Sequence, residues 1–273
     1  MIVQTFGSPF SHGDSSCDSF KPTNHVWHVG ETKDSEVEVY LDYDMLGGIR
    51  SSGTNKFLWL CESREITPEQ HSLLIHNYEK LLSVYKRIFT HDREIVKLHD
   101  RIEYVPPASN AAWVKKDHQK LYDKSKLVSM VSSGKEMCAG HVKRNELARH
   151  FSNHEINVDM FGRSTNPFAT KEQVLADYMF SITVENGSYS NYYTEKIMDC
   201  FATGCVPVYL GSPEIGEMFN SKGIITLDEN FDLSTLNKDL YESMRDAIQE
   251  NFELQREHKI ADDVVFDRIK ECL

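Results

Sequence analysis

The sequence predicts an α/β protein built from two open, mainly parallel sheets, each in its own domain. Short apolar or β-branched runs alternate with helical stretches along the whole chain. The alternation is interrupted once, at residues 105–126, where two prolines are followed by a charged, lysine-rich stretch. It then resumes, and 273 residues of which 40% are hydrophobic suffice for one large core or two ordinary ones. In the first series, residues 1–6, 37–41, 57–61, 87–90 and 102–105 read as buried strands. Between the third and fourth lies TPEQHSLLIHNYEKLLSVY, in which Thr67 caps, Pro68 takes the first helical position and Gln70 completes a capping box. Leu74, Tyr78, Leu81 and Tyr85 recur at helical spacing and give that helix one core-facing stripe.

In the second series, residues 127–132, 158–161, 179–184, 206–210 and 223–227 are expected strands, with helices over 143–151, 192–203 and 215–220. The charged tail from Leu236 carries Leu240, Met244 and Ile248 on one face and reads as packed terminal helices. Two strand–helix series in tandem predict two facing Rossmann-like domains, residues 1–125 and 126–273. Ligands of open α/β sheets bind beyond the carboxyl ends of the strands, so the site is expected in the cleft between them.

Composition narrows the function. A net charge of -12 argues against general affinity for nucleic acid, so any phosphate contact must be a local arrangement. The six cysteines are scattered without a CxxC pair, and they read as reduced thiols of a cytoplasmic protein. The start, MIVQTFGSPF, lacks the features of a signal peptide, and no apolar run is long enough to span a membrane.

The stretch MFSITVENGSYSNYYTEKIMDCFATGCVPVYLGSP, residues 179–213, carries the chemistry. A buried strand ends at Val184, a polar loop follows from Glu185 to Ser188, and a helix starts near Tyr193 and stops at Gly204, where a left-handed residue is usual. Ile197, Met198, Phe201 and Ala202 are its core face, which leaves Glu195 and Lys196 in the first turn for the cleft. A carboxylate accepts two hydroxyl hydrogens, which suits a sugar diol, and a lysine at a helix N-terminus suits a phosphate. On the dipeptide alone a plainer alternative stands: a first-turn acid complementing the helix dipole beside a solvated lysine.

The segment ENGSYSNYYTEKIMDCFATGCVPVYLGSP resembles the donor-binding signature of the α1,3/4-fucosyltransferase family, the glycosyltransferase family 10 type, whose members carry F-E-N-x(5)-Y-x-T-E-K followed by G-x-x-P-[IV]-x-x-G. Glu185, Asn186, Tyr192, Thr194, Glu195, Lys196, Pro207 and Gly211 match in order and spacing, and Val184 stands where the family usually has Phe. The match implies a GT-B-type fold and donor-binding roles for Asn186, Tyr192, Glu195 and Lys196. Upstream, VSSGKEMCAGHVKRNELARHF resembles the family's strand and basic helix start, and by that resemblance Arg144 grips the donor pyrophosphate. Its competing reading is a surface arginine on a basic helix with Lys143, Arg149 and His150. In the first half, FLWLCESREI places Glu62 just past a strand, where the family places the carboxylate that deprotonates the acceptor. Glu62 is otherwise a helix-leading acid, with Glu65 the fallback base.

The resemblance thus implies a short bacterial or viral member that moves fucose from GDP-fucose to a glycan hydroxyl with inversion, requires no metal or other cofactor and leaves the oligomeric state open. A related enzyme using another nucleotide sugar, or a non-catalytic nucleotide-sugar-binding protein, are the alternatives. Asp42-Tyr43-Asp44 spells the DxD of metal-dependent glycosyltransferases, but three residues are cheap by chance in an acidic chain, and the trio reads as a strand-end turn. His25 and His28 lack a HExxH context, and the sequon at Asn186 falls in the donor loop. His12, Asp14 and Ser15 either line the acceptor side or are ordinary turn residues. Tyr193 reads as core.

Overall fold

The computed structural model describes residues 1–7, 15–17, 19–153, 157–163 and 165–273 of the chain. The described residues fall into two compact units. The first contains Met1–Asn110, Ser190–Tyr192 and Lys259–Leu273, and the second contains Ala111–Tyr189 and Tyr193–His258.

The first unit holds a six-stranded, wholly parallel sheet of β1 (Ile2–Phe6), β2 (Val26–Val29), β3 (Val37–Leu41), β4 (Asn55–Leu60), β5 (Arg87–Thr90) and β6 (Ile102–Tyr104). Their order is β2-β1-β3-β4-β5-β6. Helix α1 (Pro68–Leu82) joins β4 to β5, and α2 (Arg93–Val96) joins β5 to β6. Side chains alternate across a strand, and β4 shows the result: Phe57 and Trp59, with Cys61 just past its end, enter one apolar cluster, while Leu58 and Leu60 enter another with Leu74 and Leu81 of α1. Both faces of the sheet are covered, so the strand reads as a continuous apolar run.

The second sheet is built from β7 (Lys126–Val131), β8 (Asp159–Phe161), β9 (Tyr178–Val184), β10 (Val206–Leu210) and β11 (Ile225–Thr226), again all parallel, in the order β11-β10-β9-β7-β8. Helix α3 (Ala139–Asn153) follows β7, α4 (Glu172–Leu175) precedes β9, and α5 (Glu195–Thr203) connects β9 to β10. Helices α6 (Lys238–Ser243) and α7 (Arg245–Glu257) lend Tyr241, Met244 and Ile248 to the core of this sheet. Counted from its own first strand, each sheet runs 2-1-3-4-5, the first adding a sixth strand. The strand order therefore reverses between β1 and β3 and again between β7 and β9, and the carboxyl edge at such a reversal is where open α/β sheets bind ligands.

Every strand expected from the sequence forms within two residues of its expected ends. Strand β2 was not expected; it is a four-residue edge strand in which Trp27 alone is buried, so it lacks the apolar run that marks the others. Helix α3 starts four residues earlier than expected, and the helix expected at 215–220 is a single 3-10 turn, Ile215–Glu217. The capping box at Thr67 does not form. Its hydroxyl turns back to donate to the Ser63 carbonyl at 3.2 Å, and Pro68 leads the helix as expected.

The domain division also moves. Residues 259–273, expected with the second domain, carry helix α8 (Ala261–Lys270) in the first unit. Val265, Phe266 and Ile269 bury beside Trp27 and Trp59, a gain on the order of 5 kcal/mol. Asp262 accepts bonds from the Ser16 hydroxyl, from Ser16 N at 2.9 Å and from Trp27 Nε1 at 2.9 Å. Conversely, residues 111–125 belong to the second unit. Trp113 N and Val114 N donate to Asp199 at 2.6 and 2.9 Å, and Lys124 Nζ reaches the carbonyls of Leu175, Ala176 and Thr203. The expected boundary at 125/126 thus shifts to 110/111.

The acidic trio after β3 is a 3-10 turn, Asp42–Asp44, as expected of a strand end. Asp42 is fully buried, and its Oδ1 accepts from Cys61 N at 2.8 Å and Glu62 N at 3.3 Å, so it shapes the exit of the neighbouring strand. Burial, with the charge of Glu62 second, pushes its carboxyl up to about 7. A folded-state pKa raised above the unfolded value favours the native state when the group is protonated, and that contribution is lost as pH rises through 7. Asp42→Asn keeps the accepting oxygen, stays neutral and tolerates the φ of 28°. It is expected to melt higher than wild type at pH 8, by at most ~4 kcal/mol of stability, and to match wild type near pH 4 in thermal melts; equal melting at both values would rule out a buried charge.

Ser15 Oγ accepts from Cys17 N at 3.1 Å within an ordinary turn, whereas His12 and Asp14 lie outside the described residues. All six cysteines are thiols, and no described helix is long and apolar enough to cross a membrane.

Candidate functional site

At the carboxyl edge of the second sheet, β9 ends at Val184, and Glu185 N continues the ladder by donating to the Leu210 carbonyl at 2.8 Å. Glu185 is buried, and its carboxylate organises the loop behind it. It accepts from Thr194 N at 2.9 Å and the Thr194 hydroxyl at 2.7 Å, and Lys196 Nζ lies 3.2 Å away. Thr194 is the N-cap of α5, with an extended backbone and its oxygen 3.5 Å from Lys196 N; the same oxygen accepts from Lys196 Nζ at 2.8 Å. The ten-residue loop is thereby tied at both ends to one carboxylate. Gly204 closes the helix at a φ of 68°, the left-handed cap expected there.

Glu195 and Lys196 are turned into this network. Lys196 Nζ lies 3.4 Å from Glu195 Oε1. Burial opposes the charge on both, but Lys196 and then Lys171 hold the Glu195 carboxyl below its usual value, and Glu185 and Glu195 hold the Lys196 ammonium above its own. Both are therefore ionised at neutral pH. On the next turn, Asp199 is clamped by the Trp113 and Val114 amides and by Lys171 Nζ at 3.2 Å, and Lys171 also lies over the Trp113 ring at 5.5 Å.

Helix α3 approaches the same edge from the other side of the strand-order reversal. Gly140 N donates to the Asn186 carbonyl at 3.1 Å, and a Cβ at Gly140 would lie 2.0 Å from the Glu185 carbonyl oxygen, so only glycine permits the approach. One turn on, Arg144 is buried; its Nε donates to the Gly140 carbonyl at 3.3 Å and its Nη2 to Asn186 Oδ1 at 2.6 Å. The guanidinium is thus aimed by groups that leave its charge uncompensated: a neutral amide and a backbone carbonyl. Two helix N-termini, Arg144 and Lys196 meet at one sheet edge, an arrangement suited to an anion.

The structure brings together four of the expected residues, Arg144, Asn186, Glu195 and Lys196. It groups Tyr192 with the first unit, its buried ring 5.3 Å from His91, next to Asn191, whose φ is 62° and whose Oδ1 accepts from Arg93 Nη2 at 3.1 Å. Tyr193 is core, with its hydroxyl 2.6 Å from His258 Nε2. Glu62 lies half-buried just past β4 in the first unit, held by the Asp42 turn. Sequence reasoning missed the organising role of Glu185, although it stood inside the matched block, and it missed Lys171 and Asp199. Lys171 carries no motif, and topology alone places it under α5. Among the described residues, no group of three or more His, Cys, Asp or Glu side chains is arranged to hold a metal ion.

The profile of the glycosyltransferase family 10 (fucosyltransferase) C-terminal region matches residues 121–264, more than half of the chain. The chain belongs to glycosyltransferase family 10. A family relative, the α-(1,3)-fucosyltransferase FucT of Helicobacter pylori, is 36% identical over 64 residues, which is 23% of this chain and only 13% of that protein's length. Among solved structures, an α1,3-fucosyltransferase superposes with a TM-score of 0.55 at 14% identity, covering 99% of this chain and 88% of that one, and its GDP-fucose complex with a TM-score of 0.54. TarM gives 0.52 at 12% identity over 87% of this chain and 55% of its own. At these identities the likeness is one of fold, and it establishes the expected GT-B class with two Rossmann-like domains. Within the family 10 region lie Arg144, Asn186, Glu195 and Lys196, as well as Glu185, Lys171 and Asp199.

Proposed function

We propose that this family 10 chain transfers fucose from GDP-fucose to a hydroxyl of a glycan acceptor, with inversion and without a metal ion. The observation that carries the reading is the convergence of Arg144, presented by Asn186, and Lys196, presented by Glu185 and Thr194, at the strand-order reversal of the second sheet. The fucosyltransferase description of the family, and the name of the Helicobacter relative, support fucose as the transferred group.

In this scheme the acceptor oxygen attacks the anomeric carbon of fucose from the face opposite the diphosphate. The bond from that carbon to the β-phosphate oxygen breaks, its electron pair leaves with GDP, and the acceptor proton passes to Glu62. A single displacement inverts the anomeric centre, by the logic that separates inverting from retaining glycosidases. Arg144 and Lys196 neutralise the charge that develops on the departing diphosphate, and fixed cations of this kind need no reorganisation as the bond breaks. Glu195, ionised and in the first turn of α5, is the acceptor for the ribose diol. Tyr192 supplies a ring or hydroxyl contact to the donor.

A thermal-shift titration with GDP, GDP-fucose, GDP-mannose, UDP and UDP-glucose, each with and without a strong chelator, tests the reading. A ligand that binds only the folded state must raise its melting temperature. GDP and GDP-fucose are expected to stabilise the chain selectively, chelator included, and release of fucose from GDP-fucose should follow. A response confined to UDP ligands, or abolished by chelator, would overturn the donor assignment; stabilisation with neither transfer nor donor hydrolysis would make the chain a binder.

A further inference from the structure

We propose that His141 is a further phosphate-contacting residue of the donor site, its neutral imidazole donating Nδ1–H to an oxygen of the nucleoside diphosphate that Arg144 and Lys196 hold. The inference rests on the donor reading above and adds a residue that the signature does not contain.

His141 is only 7% exposed, yet its buried Nδ1 has no hydrogen-bond partner among the described residues. A buried polar atom left unpaired is costly, and native structures seldom tolerate one without a ligand or water to meet it. The residue stands in the first turn of α3, three positions before Arg144, and residues three apart share one face of a helix. Its surroundings are cationic: the charges that bear on the ring are those of Arg144, Lys135 and Lys196, from α3, the loop before it and α5, with no carboxylate among them.

Burial and those three cations push its pKa down to about 4, so the ring is neutral at physiological pH and offers one N–H. A neutral donor costs nothing in repulsion beside these cations at a helix N-terminus, whereas a further fixed positive charge would. The three cations select an anionic partner, and meeting an anion places the single proton of the neutral ring on Nδ1. Among the parts of a nucleotide sugar, only the diphosphate meets that requirement.

Calorimetric titration of the full chain with GDP and with guanosine, for wild type, His141→Ala, His141→Asn and His141→Gln, decides the matter. A hydrogen bond to a charged acceptor corresponds to about tenfold or more in affinity, so His141→Ala is expected to weaken GDP by that factor and leave guanosine unchanged. Asn places an N–H near the position of Nδ1 and should recover most of the affinity; Gln, which mimics Nε2, should not. Should His141→Ala melt below the assay temperature, the comparison of Asn with Gln decides alone. GDP binding as tight in His141→Ala as in wild type, equal loss of GDP and guanosine, or equal behaviour of Asn and Gln would overturn the proposal while wild-type GDP binding upheld the donor reading. Failure of wild type to bind any nucleoside diphosphate would remove both.

Discussion

Lys196→Ala is expected to lower the turnover of fucosyl transfer by about two to three orders of magnitude at saturating donor. The ammonium is the one cation of the site tied to the loop carboxylate, 3.2 Å from Glu185 and 2.8 Å from the Thr194 oxygen, so it is fixed before the donor arrives. Its removal has a second consequence. Among the described residues, Glu185 is buried and keeps the Thr194 amide and hydroxyl as its hydrogen-bond donors, and stranding a buried charge costs about 3 kcal/mol or more. Lys196→Ala should therefore melt earlier than wild type as well as turn over slowly. Arg144→Ala separates the two effects, because the partners Arg144 leaves behind are the neutral Asn186 amide and the Gly140 carbonyl. It should lose transfer to a similar degree with a smaller loss of stability. Steady-state turnover measured beside thermal melts checks both variants, and near wild-type turnover in the pair would remove the diphosphate-stabilising role.

Glu62→Gln is expected to reduce turnover by about two to four orders of magnitude, the range for loss of a positioned general base, while GDP-fucose binding stays at the wild-type value. Its backbone N–H, held by Asp42, is untouched by the substitution, so the local fold should persist. Glu65→Gln is the natural control. Burial pushes the Glu65 carboxyl above its usual value. Turnover lost in Glu65→Gln and kept in Glu62→Gln would transfer the role to Glu65.

The parts of the site legible in the sequence were those fixed by neighbours along the chain. The run from Glu185 to Lys196 is a strand exit, a loop and a helix start, and the cap at Thr194 and the stop at Gly204 are local backbone requirements that sequence pattern expresses. Arg144 was readable because the helix that carries it follows β7 directly. Lys171 and Asp199 were not, since their pairing depends on α4 packing beneath α5, which no spacing records. Tyr192 matches the signature, but its setting was not legible: the left-handed backbone at Asn191 and the bond from Arg93 set its ring against His91. For the fold, alternation revealed both sheets because their strands are apolar on two faces. The edge strand β2 escaped for want of that pattern, and α8 was assigned to the wrong half because an amphipathic helix announces that it will pack without naming the surface it packs on.

The return of residues 259–273 to the first unit sets an order of events during synthesis. The second unit is encoded almost continuously, from 111 to 258, inside the sequence of the first. A nascent chain reaching residue 258 holds nearly all that the second unit needs, whereas the first still lacks the helix that covers Trp27 and Trp59 and the carboxylate that receives Ser16. The half translated later can therefore mature earlier. Until residues 259–273 emerge from the ribosome, the first unit presents an unsealed apolar face, the stage of its biogenesis in which chaperone protection matters most.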